Sequence, residues 1–211
     1  DRLIGDREAN IFHGGAGNDS IKGGGGNDIL FGGAGQDDID GGSGTDELRG
    51  GAGNDTYRVD DARDQVFEDQ GGGTDLILAT SDFNLGVHVE NLTLEGTAEF
   101  GTGNNSANQI IGSDADNVLL GLAGNDRMNG GKGADFLAGG AGNDMLTGGA
   151  GRDAFAFAET FGQDRITDFD AGVDVLRLFA SSEEARTFKA FKRASEDTQQ
   201  NVLYDRGGDG E

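Results

Sequence analysis

Aspartate recurs at every ninth position along two stretches of the chain: Asp19, Asp28, Asp37, Asp46 and Asp55, then Asp126, Asp135, Asp144 and Asp153. Asn10, Asn108 and Asn117 fall in the same phase. Carboxylates in a series can transfer protons, attack as nucleophiles or bind hard cations. The first two uses need partners that this chain lacks. There is no Cys, and His13 and His88 belong to no His-Glu-x-x-His pattern, so zinc hydrolysis has no ligand set. No G-x-S-x-G elbow exists either, because Thr45 stands where Ser43 would need its second Gly. No catalytic residue is assigned, and any catalytic domain is expected outside these residues. Cation binding is what remains.

The elements that position these acids are short. From Gly14 to Arg58 the chain reads as consecutive nine-residue blocks, GGAGNDSIK, GGGGNDILF, GGAGQDDID, GGSGTDELR and GGAGNDTYR. A degenerate block, GDREANIFH, precedes them from Gly5. A second series runs from Gly103 to Ala156 as GNNSANQII, GSDADNVLL, GLAGNDRMN, GGKGADFLA, GGAGNDMLT and GGAGRDAFA. The eighth position of the blocks is apolar throughout, from Phe12, Ile21 and Leu30 to Leu137, Leu146 and Phe155. A flexible Gly-rich linker has no reason to place a large apolar side chain so regularly. Gly at positions 1, 2 and 4 predicts a tight six-residue turn, and positions 7 to 9 a stub of strand with one side chain inward. Two blocks then make one coil of eighteen residues, and stacked coils give two parallel sheets around a thin core.

Composition agrees with that thinness. The 211 residues include 41 Gly and no Pro, only 34% are hydrophobic, and 39 acids against 16 bases give a net charge of −23. Such acidity disfavours nucleic acid, no apolar run is long enough for a membrane span, and the absence of Cys removes disulfides. A core this small needs a staple. Stacking sets Asp19 against Asp37, Asp28 against Asp46, Asp37 against Asp55, Asp126 against Asp144 and Asp135 against Asp153. Carboxylates so placed repel unless a cation lies between them. An all-oxygen, flexible cage suits Ca²⁺ better than Mg²⁺. Counting the Asn10, Asn108 and Asn117 pairings as weaker sites, about five to eight ions are expected.

The blocks match G-G-x-G-x-D-x-U-x, and the chain thereby resembles the calcium-binding nonapeptide-repeat region of RTX (repeats-in-toxin) proteins. That resemblance implies an all-β, right-handed parallel β-roll. It implies that each position-6 Asp shares its two oxygens between ions above and below. It further implies carbonyl ligands from positions 1 to 4 of the blocks. In the first series these fall on Gly14, Gly15, Gly17, Gly23, Gly24, Gly26, Gly32, Gly33, Gly35, Gly41, Gly42, Gly44, Gly50, Gly51 and Gly53. In the second they fall on Gly121, Gly124, Gly130, Gly131, Gly133, Gly139, Gly140, Gly142, Gly148, Gly149 and Gly151. Members of the family are typically exported by type I secretion machinery and fold on meeting extracellular calcium, which implies a secreted protein of a Gram-negative bacterium.

Four segments are expected: a first array over 1–58, a β spacer over 59–102 that continues the stack, a second array over 103–156 and a C-terminal cap over 157–211. The spacer breaks the period but keeps strand-like alternation through Val87, Val89, Leu92 and Leu94, and GGGTDLILA from Gly71 reads as a shortened block. In the cap, Asp164, Asp168 and Asp174 are candidates for a terminal ion or for a solvated acidic edge. A helix is expected over 182–196, opened by Ser181 and Glu184 and packed through Phe188 and Phe191. The block frame is already running at Asp1 and the cap stops at Glu211, so the chain is expected to be a fragment of a larger secreted protein. The leading functional expectation is a calcium-binding module that supports secretion and stability of that protein. The alternative is a calcium-ordered module that binds polysaccharide or another surface. Ice is disfavoured, because position 3 reads Ala16, Gly25, Ala34, Ser43 and Ala52 rather than a Thr/Asn row.

Overall fold

The computed structural model describes residues 1–158 and 161–178, and these contain strands and turns without a helix. The helix expected over 182–196 lies outside the described residues. Odd-numbered strands form one sheet: β1 (Arg2–Ile4), β3 (Ser20–Gly25), β5 (Asp38–Ser43), β7 (Thr56–Val59), β9 (Leu76–Ala79), β11 (Asn91–Leu94), β13 (Gln109–Ile111), β15 (Arg127–Lys132), β17 (Met145–Ala150) and β19 (Arg165–Ile166). Even-numbered strands line the opposite side: β2 (Ile11–Ala16), β4 (Ile29–Ala34), β6 (Glu47–Ala52) and β8 (Gln65–Phe67), then β10 (Phe83–Asn84), β12 (Phe100–Thr102), β14 (Val118–Leu120), β16 (Phe136–Ala138), β18 (Ala154–Phe157) and β20 (Val175–Leu178). Every pairing is parallel. The protein is a parallel β-solenoid of about ten coils, consistent with the right-handed β-roll.

Within the repeats the register is eighteen residues, as in Arg2↔Ser20, Ile11↔Ile29 and Met128↔Leu146. Around β9 it changes: Thr56 pairs Leu76, and Leu76 pairs Asn91. The odd sheet passes through this irregular coil unbroken, while the even side divides there into sheets of four and six strands. The expected two sheets are therefore three. A twenty-residue step followed by a fifteen-residue step keeps one side of the stack in hydrogen-bonding register and shifts the other.

Several strands inside the arrays are longer than the predicted stub, while β13, β14 and β16 keep to three residues. Ser20–Gly25, Ile29–Ala34 and Met145–Ala150 each run through positions 7 to 9 and on into positions 1 to 3 of the next block. Around these strands only positions 4 to 6 turn. Strand alternation then buries two columns, the position-8 side chain and the position-1 glycine, with Ile21, Leu30, Ile39, Leu48, Leu137 and Leu146 fully enclosed. Position-1 glycines lack positive φ, so their need is spatial. A Cβ on Gly14 would sit 2.5 Å from Asp19 Oδ2 and 2.6 Å from the Gly32 carbonyl oxygen. The spacer adds Ile77, Phe83, Leu85, Val89, Leu92 and Leu94 to the same core, and Leu176 ends it.

Position-2 glycines carry the conformational demand. Gly15 and Gly33 have φ of 105° and 116°, but a Cβ on Gly15 would meet nothing within 4 Å, whereas one on Gly33 would run into the Gly15 carbonyl. Gly15→Ala is expected to cost about 1–2 kcal/mol, the left-handed backbone term alone. Gly33→Ala should cost clearly more, because it must also push two coils apart. Thermal unfolding of both variants in calcium measures the difference, and equal costs would mean that inter-coil contact does not limit this position.

Candidate metal centres

Each position-6 aspartate is placed by the turn that ends at it and the strand that begins after it. Asp19, Asp28, Asp37, Asp46, Asp55, Asp126, Asp135, Asp144 and Asp153 are all at most 3% exposed. The eighteen-residue pairs named from the sequence are brought together, and a backbone bond joins them. Asp19 N–H donates to Asp37 Oδ1, Asp28 N–H to Asp46 Oδ1 and Asp37 N–H to Asp55 Oδ1, each at 2.8 Å. In the second series Asp126 N–H donates to Asp144 Oδ1 at 2.8 Å and Asp135 N–H to Asp153 Oδ1 at 3.0 Å. One oxygen of each carboxylate is thus engaged by an amide.

The other oxygen is left over. Oδ2 of Asp19, Asp28, Asp37, Asp46, Asp55, Asp126, Asp135 and Asp144 is buried without a hydrogen-bond partner. Each faces the space left by a position-1 glycine, and at Asp19, Asp28, Asp37, Asp126 and Asp135 the carbonyl of the glycine one coil on lies beside it. For Gly130 that carbonyl belongs to Gly148, 2.6 Å from where a Cβ would stand, and for Gly32 it belongs to Gly50 at 2.8 Å. A buried, unpaired carboxylate oxygen is costly. A repeating pocket of one such oxygen and one carbonyl fits a hard divalent cation. Position-3 oxygens of Ala34, Ala52 and Ala150 each accept one N–H bond, from Gly17, Gly35 and Gly133, which leaves one lone pair on each.

Asparagine changes the local balance. Asn108 Oδ1 accepts Asn104 N–H at 2.7 Å, and its Nδ2 donates to the Val89 carbonyl at 3.1 Å. Asn117 Oδ1 accepts Ser113 N–H at 2.8 Å, and its Nδ2 donates to the Ala98 carbonyl at 2.9 Å. Asn10 Oδ1 likewise accepts Asp6 N–H at 3.1 Å. These blocks satisfy their own side chains. His13 has no metal-ligating neighbour and stacks on Phe31 with ring centroids 4.5 Å apart.

The ladder extends past the nonapeptide blocks. Asp46 N–H donates to Asp64 Oδ1 at 2.9 Å, and Asp55 N–H to Asp75 Oδ1 at 2.8 Å. In the cap, Asp144 N–H reaches Asp164 Oδ1 at 2.9 Å and Asp153 N–H reaches Asp174 Oδ1 at 3.0 Å. Asp168 differs, taking Gly148 N–H on Oδ1 and Gly149 N–H on Oδ2. Asp64 was legible, being nine residues after Asp55 with Val66 two residues on. Asp75 was hidden by its spacing of 20, whereas Asp164 and Asp174, candidates for a terminal ion from the sequence, join the ladder at spacings of 20 and 21. Position 5 holds a second ladder, in which Asn18, Asn27, Asn54, Asn125 and Asn143 accept an N–H from the next coil. The recurrence of Asn before Asp was its signal.

The RTX calcium-binding nonapeptide repeat (4 copies) matches residues 4–39, 23–57, 31–66, 102–137 and 132–156, together more than half of the chain. No curated protein matches it.

Desolvation sets the acidity of these carboxyls. Burial pushes Asp46, Asp75, Asp126, Asp135 and Asp164 up to about 6, against the opposing pull of the donated amide. Asp37, Asp55, Asp144 and Asp153 move upward for the same first reason. Without cations, the folded chain therefore holds more protons than the unfolded chain between about pH 4 and 6, and stability falls as pH rises through that window. In chelator, order should be greatest near pH 4 and decline as the pH passes 6. Far-UV circular dichroism from pH 3.5 to 7.5 reads this, and a signal that strengthens towards neutrality would contradict it.

Proposed function

The chain belongs to the RTX calcium-binding nonapeptide repeat family, and from that premise we propose that it is a roll ordered by extracellular calcium, serving secretion and stability of a larger protein. As an RTX repeat roll it is a structural, non-catalytic module. The observation that carries the proposal is the series of buried aspartate Oδ2 atoms with no partner, in five consecutive blocks of the first array and three of the second. Calcium, when bound, supplies the positive charge that these oxygens lack. Asp19, Asp28, Asp37, Asp46, Asp55, Asp126, Asp135, Asp144 and Asp153 would hold it, joined by block carbonyls such as those of Gly32, Gly50 and Gly148. Two oxygens per pocket leave room for further carbonyls and water, in keeping with the 6–8 ligands calcium takes.

The chain's own residues then account for a switch. Without the ions, −23 of net charge and a column of desolvated acids oppose stacking, so a low-calcium interior keeps the chain extended and exportable. Outside, millimolar calcium suits sites of the extracellular class, which bind at roughly 10⁻⁴ to 10⁻³ M. About five to eight ions would be held, and the spacer over 59–102 and cap over 157–211 would close the two arrays. The family association with type I secretion supports an extracellular location. A polysaccharide- or surface-binding role draws on one feature, the outer column His13, Phe31, Arg49 and Phe67. Its ring faces are turned onto one another and onto the Arg49 guanidinium, which lies 6.0 Å from one ring and 4.4 Å from the next, so they offer a sugar little but edges.

Removing calcium at neutral pH should abolish most of the β signal in circular dichroism, and restoring it to millimolar level should bring the signal back. Asp37→Asn is expected to lower the bound stoichiometry and cost about 1.5–3 kcal/mol in calcium, the usual worth of a contact to a charged group. Calorimetric titration measures both quantities. An unchanged stoichiometry would remove Asp37 from the ligand set, and a full β spectrum in chelator at neutral pH would sink the switch.

A further inference from the structure

Position-1 glycines stack directly on one another along the even side, as Gly14, Gly32 and Gly50. The pairing of β6 with β8 sets Arg49 beside Phe67, so the next place in that column falls to Glu68. A carboxylate therefore stands where each coil beneath has no side chain. It is buried, as are Asp55 and Asp75, and one oxygen from each of the three lies within 4.8 Å of the others. Asp55 Oδ1 and Asp75 Oδ1 accept the amides of Asp37 and Asp55 at 2.8 Å. Glu68 Oε1 accepts the Tyr57 hydroxyl. Asp55 Oδ2, Asp75 Oδ2 and Glu68 Oε2 are left buried with no partner.

We propose that Asp55, Glu68 and Asp75, with the Tyr57 hydroxyl against them, form a three-carboxylate calcium site, completed by Glu68 and Asp75 from beyond the nonapeptide blocks, that fills before the other repeat turns. It rests on the reading of the roll as calcium-ordered, but Glu68 belongs to no repeat block. Oxygens converge on the gap left by two glycines. A Cβ on Gly50 would crowd Asp55 Oδ2, the Tyr57 oxygen and Glu68 Oε1, and one on Gly72 would come 2.7 Å from the Gly51 carbonyl and 2.8 Å from Glu68 Oε2. A proton on Glu68 would satisfy one orphan oxygen and leave two. A hard cation answers all three at once, with the Gly51 carbonyl in reach. Affinity in all-oxygen sites rises with the number of charged ligands. Three carboxylates here, against one unpaired carboxylate oxygen per repeat pocket, put this site first in order of filling.

Tyr57 makes the site readable. The chain has no Trp and two Tyr, the other being Tyr204. Terbium(III), a calcium mimic, should emit on tyrosine excitation and reach its plateau at the first equivalent bound. Emission should persist in Tyr204→Phe, vanish in Tyr57→Phe and be displaced by calcium. Glu68→Gln should weaken this first phase at least tenfold and lower the calcium count by one, with the calcium-induced β signal retained. Glu68→Asp should keep the phase, which separates loss of charge from loss of fold. Emission that follows Tyr204, that rises only with the last equivalents, or that is unmoved in a folded Glu68→Gln would overturn the proposal. If Glu68→Gln does not fold, the order of filling in the unmodified chain decides. Tyr57-dependent emission without any calcium-dependent dichroism would refute the calcium-ordered roll and leave this site standing.

Discussion

A carboxylate taken out of water must find a partner for each oxygen, and this fold supplies only half. The amide of the preceding coil reaches Oδ1, while Oδ2 of Asp28, Asp37 or Asp126 meets only a glycine gap and a carbonyl. Because the solenoid repeats, the deficit repeats with it. No single replacement repairs it, since the pocket is formed by two coils at once. The same stacking that satisfies the backbone thus accumulates unpaired negative charge along both edges. A conformation of this kind persists only where something positive is available to enter it.

The remaining features follow from the need to bring the coils that close. Glycine at position 1 is excluded from substitution by the carboxylate it faces, and glycine at position 2 by its backbone angle and the carbonyl of the coil below. Apolar residues enter at position 8 alone within the arrays, so the core is one side chain thick. Tyr57 shows how tightly the two columns are linked: the inward side chain of the last repeat block reaches across with its hydroxyl to Glu68 in the glycine column. Burial and the adjacent carboxylate both push the ionisation of that hydroxyl upward, so it remains a donor.

Much of this was legible in the sequence because period and chemistry coincide. A nine-residue spacing of Asp with an apolar residue two places on yields the coil, the stacking partner and the identity of the buried acids. Strand length departs from the sequence expectation for a physical reason: residues at positions 1 to 3 suit a turn, yet pairing with the next coil keeps Gly23–Gly25 and Gly32–Gly33 in strands. The split of the even sheet was not legible, because nothing in the composition of 68–82 signals a change of step from twenty to fifteen residues. The role of Asp75 was lost with the period, and Asp164 was legible as a cap acid but not as the stacking partner of Asp144. What their neighbourhoods keep is a polar residue followed by an inward apolar one, as in Asp75-Leu76-Ile77 and Asp164-Arg165-Ile166.

Demand for positive charge is uneven along the stack, and the asparagines mark where it falls. At Asn108 and Asn117 the side-chain oxygen takes an amide of its own block and the nitrogen returns a bond to Val89 or Ala98, so those turns close on themselves. They lie beside the part of the roll with the thickest core, where Val89, Leu92, Leu94 and Leu85 add to the position-8 column. Unpartnered carboxylate oxygens are thereby concentrated in two runs, Asp19 to Asp75 and Asp126 to Asp144, flanking a middle that hydrogen bonds and apolar burial satisfy. Asp55, Glu68 and Asp75 stand where the first run meets that middle. Charge is most crowded there, beside coils that need none.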